Sequence, residues 1–260
     1  MNPTMNPELN PQLNPRLNPR LNPTMTVAIL AGGLATRLRP ITEAVPKSLL
    51  EVNGEPFVVH QLRLLKSNGI QRVVLCVGHL GELIQRAIGD GSALGLQVDY
   101  SLDGAALLGT AGAIRNALPK LSESFFVMYG DSYLPCDYAA IARNFESAGV
   151  LGMMTVFRNE GKWDTSNVEF EAARILAYSK TNRTPRMRYI DYGLGVFRAE
   201  ALQGLPAGKP CDLAELYTDL LQRNQLAAFE VHERFYEIGS PGGLRETAEF
   251  LAAREANQQS

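Results

Sequence analysis

The stretch Leu30-Ala-Gly-Gly-Leu-Ala-Thr-Arg-Leu-Arg-Pro-Ile-Thr-Glu-Ala-Val-Pro-Lys47 ends an apolar run and opens into two adjacent glycines. The apolar run, residues 27–31, is typical of a buried strand, and the glycines predict a turn after it. Such a turn lets backbone N–H groups approach a phosphate closely. Arg37 and Lys47 can then hold the phosphate charge. The stretch therefore predicts a phosphate or nucleotide site at the end of the first strand.

This glycine turn matches neither of two common phosphate loops. A Walker A loop requires Gly-Lys-Ser/Thr after the glycines, and the dinucleotide pattern G-x-G-x-x-G requires a third glycine. The observed spacing is A-G-G-x-x-T-R-L-x-P-x-T-x-x-x-P-K. It resembles the opening of the sugar-1-phosphate nucleotidylyltransferases, which make NDP-sugars. The resemblance extends over residues 26 to about 255, and in its details it is nearest to the guanylyltransferases of mannose 1-phosphate and D-glycero-D-manno-heptose 1-phosphate.

The composition is that of an ordinary soluble globular protein. The chain has 260 residues, of which 45% are hydrophobic and 20% charged, and its formal net charge is −2. This balance gives no basic surplus for binding nucleic acid. The three cysteines and three histidines show neither a disulfide framework nor a metal-ligand spacing. Without an 18-residue apolar run or a signal-peptide pattern, the expectation is a cytoplasmic protein that does not bind membranes.

The N-terminal segment repeats Asn-Pro-x-Leu/Met six times over residues 2–25. Proline at every fourth position removes a backbone donor and disfavours helix at the residue before it. One apolar side chain per repeat is too little to bury a core. We therefore expect residues 1–25 to be a disordered tail and residues 26–260 to form a single catalytic domain.

Strand-like and helix-like stretches alternate from residue 26 to about residue 148, which predicts a mostly parallel sheet covered by helices. Residues 151–198 are richer in strand signals. The expected fold is therefore α/β, with a Rossmann-like, mostly parallel sheet flanked by helices and a β-rich insertion that binds the sugar. In open α/β sheets, ligands bind at the carboxyl ends of the strands.

The resemblance implies that the nucleotide is held by the opening motif and by the region after residue 101. The segment Ser101-Leu-Asp-Gly-Ala-Ala-Leu-Leu-Gly-Thr-Ala-Gly112 resembles the base-recognition region of the family, and a helix beginning near Thr110 is expected to offer free N–H groups. A strand-to-helix turn packed with small residues is the alternative interpretation. The nucleotide-binding residues implied are Ala31, Gly32, Gly33, Thr36, Arg37, Gly109 and Thr110.

A magnesium site is implied at two carboxylates. Gly130-Asp131 follows an apolar strand-like run, and the family has at this place an Asp that binds the metal. Phe235-Tyr-Glu-Ile-Gly-Ser-Pro241 resembles the segment that supplies the second ligand, but Glu237 stands where the family has Asp. The longer side chain leaves open whether Glu237 contacts the metal directly or through water. A capping role for Asp131 is the structural alternative.

The sugar phosphate is implied to contact Lys47, Lys180, Asp191 and Gly193. Lys180 matches the second lysine of the family, although Ser179 replaces the usual glutamate before it. Asp191-Tyr-Gly193 stands where many relatives have Asn-Ala-Gly, which touches sugar hydroxyls. A carboxylate at Asp191 can accept hydrogen bonds from a polyol. A buried turn at Gly193 is the alternative.

The resulting expectation is a Mg²⁺-dependent enzyme with Arg37, Lys47 and Asp131 as its catalytic residues. It would transfer a nucleotidyl group, with GTP favoured, to a mannose- or heptose-type sugar 1-phosphate. Uridylyl, thymidylyl or cytidylyl transfer is left open, as is a catalytically weak NDP-sugar-binding regulatory protein. The expected partners are the NTP and the sugar 1-phosphate, with homo-oligomerisation left open.

Overall fold

The computed structural model describes residues 25–33, 44–104 and 106–259, so residues 1–24 of the expected tail lie outside it. The strands are β1 (Thr26–Leu30), β2 (Glu51–Val52), β3 (Glu55–Pro56), β4 (Arg72–Val77), β5 (Gln97–Leu102), β6 (Ser124–Tyr129), β7 (Ser132–Tyr133), β8 (Gly152–Arg158), β9 (Val168–Glu171), β10 (Arg174–Tyr178), β11 (Tyr189–Arg198), β12 (Leu226–Val231) and β13 (Tyr236–Glu237). The helices are α1 (Phe57–Ser67), α2 (Gly81–Ile88), α3 (Gly109–Ala117), α4 (Tyr138–Ala148), α5 (Glu200–Gln203), α6 (Leu213–Gln222) and α7 (Pro241–Gln259).

Four parallel strands in the order β6-β1-β4-β5 form the part of the main sheet that the opening motif enters. Alternate residues of β1 point to opposite faces, as the strand period of two requires. Val27 and Ile29 pack in the cluster that contains α1 and α4, and Ala28 packs in the cluster that contains α3 and α6. Both faces are thus covered by helices, which explains why these strands read as continuous apolar runs.

The remaining strands of the main sheet continue it beyond β6. β11 pairs antiparallel with β6 through residues 194–198, with β8 along both of its halves, and with β9 at Tyr189. β9 and β10 form an antiparallel pair, and β12 runs parallel to β8. The expected fold class is confirmed, with one refinement: the β-rich part is an extension of the same sheet, because the ten-residue β11 spans both halves.

Two aspartates and a serine begin helices where the sequence favours N-caps. The Asp137 carboxylate accepts the Ala140 N–H at the start of α4, and the Asp212 carboxylate accepts the Ala214 N–H at the start of α6. The Ser240 hydroxyl accepts the Gly243 N–H at the start of α7. Each bond satisfies one of the free N–H groups of a helix start.

No helix among residues 25–33, 44–104 and 106–259 is both long and apolar enough to cross a membrane. Cys76 in β4 is 1% exposed and lies in the core. Burial raises the pKa of the Cys76 thiol to about 12, so this thiol stays protonated and inert at neutral pH.

Candidate active site

A cavity of about 360 Å³ opens at the carboxyl ends of β1, β4, β5 and β6. This is where an open α/β sheet is expected to bind its ligand. Seven residues singled out from the sequence line it together: Ala31, Gly32, Gly33, Lys47, Gly109, Thr110 and Asp131. The fold thus collects, around one space, residues that lie up to a hundred positions apart in the chain.

Lys47 and Asp131 form an ion pair inside this cavity. The Lys47 ammonium lies 2.6 Å from Asp131 Oδ2, and the two side chains are 15% and 33% exposed. Asp131 Oδ1 accepts a hydrogen bond of 3.2 Å from the Ser132 hydroxyl. A partly desolvated lysine beside a carboxylate offers a cation for phosphate oxygens and an oxygen ligand for a metal at neighbouring points.

Backbone atoms form the wall between β1 and β6. The Gly130 N–H donates to the Leu30 carbonyl at 2.9 Å, and the Ala31 N–H donates to the Cys76 carbonyl at 2.8 Å. A Cβ on Gly130 would lie 2.8 Å from the Leu30 oxygen, so only glycine allows this approach. The Ala31 N–H is therefore committed to the sheet and is not free to bond a phosphate.

The start of α3 differs from the expectation of free N–H groups. The Cys211 carbonyl accepts both the Ala111 N–H at 2.9 Å and the Gly112 N–H at 3.3 Å, and the Cys211 N–H donates to the Leu108 carbonyl. The Thr110 hydroxyl accepts the Leu213 N–H at 2.7 Å. The expectation was therefore wrong for these two amides, because residues 211–213 cap the helix from a distant part of the chain.

Thr36 and Arg37 lie outside the described residues. Their assignment to the nucleotide, and the catalytic role expected for Arg37, therefore stay predictions.

Of the residues expected to bind the sugar phosphate, Lys47 lines the cavity, whereas Lys180, Asp191 and Gly193 do not, and Gly193 lies against the ring of Tyr129. Lys180 contacts Asp212 at 2.9 Å, and both side chains are about half exposed. Gly193 has a φ of 94° at a bulge of β11, and a Cβ there would lie 3.5 Å from the Tyr129 ring. Tyr129 itself lines the cavity. Burial raises its pKa, and the nearby Asp191 carboxylate raises it further.

Asp191 is the unusual acid of this region. Its Oδ1 accepts the Gly193 N–H at 3.0 Å, and its own N–H donates to Asn167 Oδ1 at 2.9 Å. Burial raises the pKa of Asp191 to about 6, although the Gly193 bond and the Lys180 charge act in the opposite direction. A carboxyl group that is costly to ionise, beside a lysine, is a good acceptor for ligand hydroxyls.

Glu237 lies beside Asp131, and donors of the turn that follows β13 hold its carboxylate. β13 pairs with β7 so that Glu237 is opposite Ser132, and the Ile238 N–H donates to the Asp131 carbonyl at 2.9 Å. The Glu237 carboxylate accepts the Gly239 N–H and, at 3.1 Å, the Ser240 hydroxyl. Each of these oxygens keeps a second acceptor position, so a metal contact would compete with the two donors without having to displace them.

Within the described part of the chain, no three His, Cys, Asp or Glu side chains lie close enough together to hold a metal ion by themselves. This donor set still fits Mg²⁺, which usually takes one or two carboxylates together with waters and substrate phosphates. Asp131 supplies such a carboxylate, partly exposed and at the mouth of a cavity of suitable size.

The sequence interpretation missed two side chains of this region. Asp103 follows β5 and lines the cavity, although no role was given to it. Asp212 was given no role in the site either, and its ion pair with Lys180 was not foreseen. The rule that ligands bind at the carboxyl ends of strands could have identified Asp103, since it stands directly after β5 as Asp131 stands shortly after β6.

Comparison with known proteins gives consistent matches. A family model described as "Nucleotidyl transferase" matches residues 26–168. The chain is 29% identical to N-acetylmuramate alpha-1-phosphate uridylyltransferase of Neisseria meningitidis, over 88% of this chain and 99% of that protein. It is 30% identical to mannose-1-phosphate guanylyltransferase of Mycobacterium tuberculosis over 82% of this chain, and it spans 60% of the length of that relative.

Solved structures show the same fold. HddC from Yersinia pseudotuberculosis complexed with GMP-PN matches with a TM-score of 0.73 and 23% identity, over 87% of this chain and 99% of that one. The inositol-1-phosphate CTP transferase from T. maritima matches with a TM-score of 0.72 and 23% identity, over 89% and 96% of the two chains.

Proposed function

This chain belongs to the nucleotidyl transferase family, and we propose that it transfers a nucleotidyl group from an NTP, with GTP favoured, to a sugar 1-phosphate. The proposed acceptor is of the mannose or heptose type, and the products are an NDP-sugar and pyrophosphate. The observation that carries the proposal is the cavity in which Lys47 and Asp131 meet the glycine turn at Gly32 and Gly33.

The relatives support the reaction class more strongly than the identity of its substrates. The two curated relatives above and other matching proteins, among them a UTP–glucose-1-phosphate uridylyltransferase of Synechocystis, are sugar-1-phosphate nucleotidyltransferases. Their names give different bases and sugars, so they support the reaction class in general. The choice of GTP and of a mannose-type acceptor is the more specific part of our proposal. Uridylyl, thymidylyl and cytidylyl transfer are the alternatives within the class.

The chemistry needs no protein nucleophile. A phosphate oxygen of the sugar 1-phosphate attacks the α-phosphorus of the NTP, and a new P–O bond forms there. The bond from the α-phosphorus to the oxygen that bridges to the β-phosphate breaks, and its electron pair leaves with pyrophosphate. The enzyme therefore acts by positioning and charge stabilisation.

Each proposed residue has a part in that positioning. Arg37 braces the triphosphate, and Gly32, Gly33, Gly109 and Thr110 form the wall against which the nucleotide lies.

On the acceptor side, Lys47 and Lys180 hold the sugar phosphate, and Asp191 accepts a sugar hydroxyl beside the turn at Gly193. Asp131 would hold Mg²⁺, with Glu237 as the second carboxylate beside the donors Gly239 and Ser240. The metal would supply charge neutralisation on the phosphates.

A second candidate is a catalytically weak NDP-sugar-binding protein. The observation that favours it is that the Gly239 N–H and the Ser240 hydroxyl already bond the Glu237 carboxylate, which lowers its availability as a second acidic ligand beside Asp131. Such a protein would bind NTP or NDP-sugar without turnover.

The test is pyrophosphate release with Mg²⁺ from GTP, UTP, CTP and dTTP, each with mannose, heptose and glucose 1-phosphates. The expected result is release that is strongest with GTP. Loss of the Lys47 cation in Lys47→Ala should lower the rate by about 10²–10³. The matched control is Lys66→Ala, because Lys66 is an exposed lysine of α1 that contacts only the Gly95 carbonyl. Nucleotide binding without release from any pair would favour the second candidate instead.

A further inference from the structure

Trp163 is the single tryptophan of the chain, and its ring is stacked on an arginine. The ζ carbon of Arg234 lies 3.4 Å from the centre of the Trp163 ring and 4.8 Å from the centre of the Tyr236 ring. Tyr236 also stacks on Phe250 of α7, with ring centres 3.9 Å apart. A guanidinium over two aromatic rings is attracted by both of them. The stack of Trp163, Arg234 and Tyr236 therefore joins the loop of residues 159–167 to β13.

The loop that carries Trp163 is folded around a buried side chain. Asn159 is fully buried, its Oδ1 accepts the Trp163 N–H at 3.2 Å, and its amide group donates to Ser166 Oγ at 3.1 Å. At the end of the loop, Asn167 Oδ1 accepts the Asp191 N–H at 2.9 Å. The loop therefore supports the acid that is proposed to accept a sugar hydroxyl.

The other end of the stack leads to the acidic end of the cavity. Tyr236 precedes Glu237 in β13, and the Ile238 N–H donates to the Asp131 carbonyl at 2.9 Å. The strand that Arg234 contacts thus also supports the two carboxylates proposed for Mg²⁺. The stack connects the parts of the chain that carry the two sides of the candidate site.

We propose that Trp163 is a positioning residue: through Arg234 it keeps the loop of residues 159–167, and with it Asp191, in a fixed place relative to Glu237. This inference rests on the proposed function and deepens it, since it names a residue that sets the geometry of the same site. Trp163 acts through these neighbours and not by contact with a substrate. A surface loop without such a contact opens locally at little cost in free energy. Loss of the stack should therefore loosen both segments that it joins.

The fluorescence of Trp163 shows whether the stack is formed. Because the chain has a single tryptophan, its emission reports on this one ring. Arg234→Ala should shift the emission to longer wavelength and increase quenching by acrylamide, because water reaches the ring face that the guanidinium covers. Arg198→Ala is the matched control and should change neither. The side chains of Arg198 and Arg234 are both 27% exposed, each pairs with a glutamate, and Arg198 lies over the Phe145 ring.

The main experiment is hydrogen–deuterium exchange of the full-length protein without ligand, resolved to residues 189–193 and 236–240. Trp163→Ala should speed exchange in both segments by about tenfold, the scale of one partly desolvated cation–π contact, and leave β1 and β4 as protected as in the wild type. Trp163→Phe keeps an aromatic face for the guanidinium and should stay within about threefold of the wild type. Arg198→Ala should leave both segments unchanged.

In turnover, the stack should act on the acceptor. Trp163→Ala is expected to raise KM for the sugar 1-phosphate several-fold and to leave KM for the NTP unchanged, because Asp191 lies on the acceptor side. Trp163→Phe should restore the KM for the acceptor. A purely structural role would lower the amount of folded enzyme and change neither KM.

Three results would overturn the inference: unchanged exchange of residues 236–240 in Trp163→Ala, exchange that rises equally throughout the protein, or a Trp163 emission that Arg234→Ala does not alter. If Trp163→Ala does not fold, Arg234→Gln removes the charge, keeps most of the side chain, and must speed exchange in both segments. Because exchange is measured without substrates, absence of pyrophosphate release would refute the proposed function, while exchange still decides whether Trp163 positions the two segments.

Discussion

The part of the candidate site that is proposed to bind the nucleotide (the nucleotide half) and the part that is proposed to bind the sugar (the sugar half) are built in opposite ways. The wall formed at Gly130, Gly109 and the end of β1 is mainly backbone, held by hydrogen bonds that leave Lys47 and Asp131 facing the cavity. The sugar half places Asp191 and Tyr178 in partly or fully buried positions, and the buried Tyr178 hydroxyl has no partner among the described residues. The described backbone of the first half is bonded within the protein, whereas the second half holds buried polar groups whose cost a bound polyol would relieve.

The largest expected effect tests the cavity that Lys47 and Asp131 line. Asp131→Asn keeps an oxygen near Lys47 but removes the charge proposed to hold Mg²⁺, so we expect kcat/KM to fall by about 10² or more. Pyrophosphate release measures it. Asp137→Asn is the control, since Asp137 caps α4 and Asn caps equally well. A small loss in Asp131→Asn, similar to that of the control, would contradict the catalytic part given to this carboxylate.

The second effect tests the backbone wall. Gly109 has a φ of 68°, and a Cβ there would lie 2.7 Å from the Cys211 carbonyl oxygen. Gly109→Ala should therefore lower the free energy of unfolding by about 2–4 kcal/mol, combining left-handed strain and overpacking. Gly104→Ala separates the two causes, because Gly104 has a φ of 84° and nothing within 4 Å of the new Cβ.

Strain alone should cost Gly104→Ala about 1 kcal/mol. Urea unfolding of both variants measures the difference. Equal losses would mean that the contact with Cys211 does not support the wall.

The third effect tests the buried acid of the sugar half. Because the pKa of Asp191 rises from 3.8 to about 6 on folding, the folded protein binds more protons than the unfolded chain between these values. The contribution of Asp191 to stability is thus present below about pH 4 and is lost as the pH rises through about 6. Asp191→Asn removes this loss and keeps an acceptor for the Gly193 N–H.

Above about pH 7, Asp191→Asn should be more stable than wild type by about 1–3 kcal/mol, and the two should converge near pH 4. Denaturant unfolding across this pH range gives the comparison. A constant difference at every pH would show that ionisation of Asp191 is not what costs stability.

The smallest effect concerns the exposed ion pair of the sugar half. Lys180 and Asp212 are about half exposed, so their pair should contribute less than about 1 kcal/mol. Asp212→Asn keeps the cap of α6 and should change stability little, whereas Asp212→Ala also loses the cap and should cost about 1 kcal/mol. Thermal unfolding distinguishes the two variants, and equal losses would mean that the ion pair matters more than the cap.

The parts of the site that the sequence predicted are those whose signals are local. The run before Gly32 and the run before Gly130 mark buried strands by hydrophobicity alone, and Asp131 follows from its place after one of them. The caps at Asp212 and Ser240 depend on residues two or three positions away. Such short-range patterns need no knowledge of the tertiary fold.

The unpredicted parts depend on contacts between distant residues. Thr110 meets Leu213 across 103 positions, and Lys180 meets Asp212 across 32. Neither pairing has a periodic signal, because the first is set by how α6 packs against α3 and the second by how α6 packs against β10. The orientation of the Glu237 side chain is likewise decided by donors that only the folded turn brings near. The roles of Thr36 and Arg37 stay predictions.

The cap that residues 211–213 place on α3 has a consequence for how the molecule can be divided and how it assembles. A fragment cut after residue 168 would lose this cap and also β11, the neighbour of β6. Such a fragment should not fold into a nucleotide-binding module, although adding residues 169–260 as a second peptide could restore it by complementation. Since the nucleotide wall closes only over long sequence separations, we expect its formation to be a late, slow step of folding.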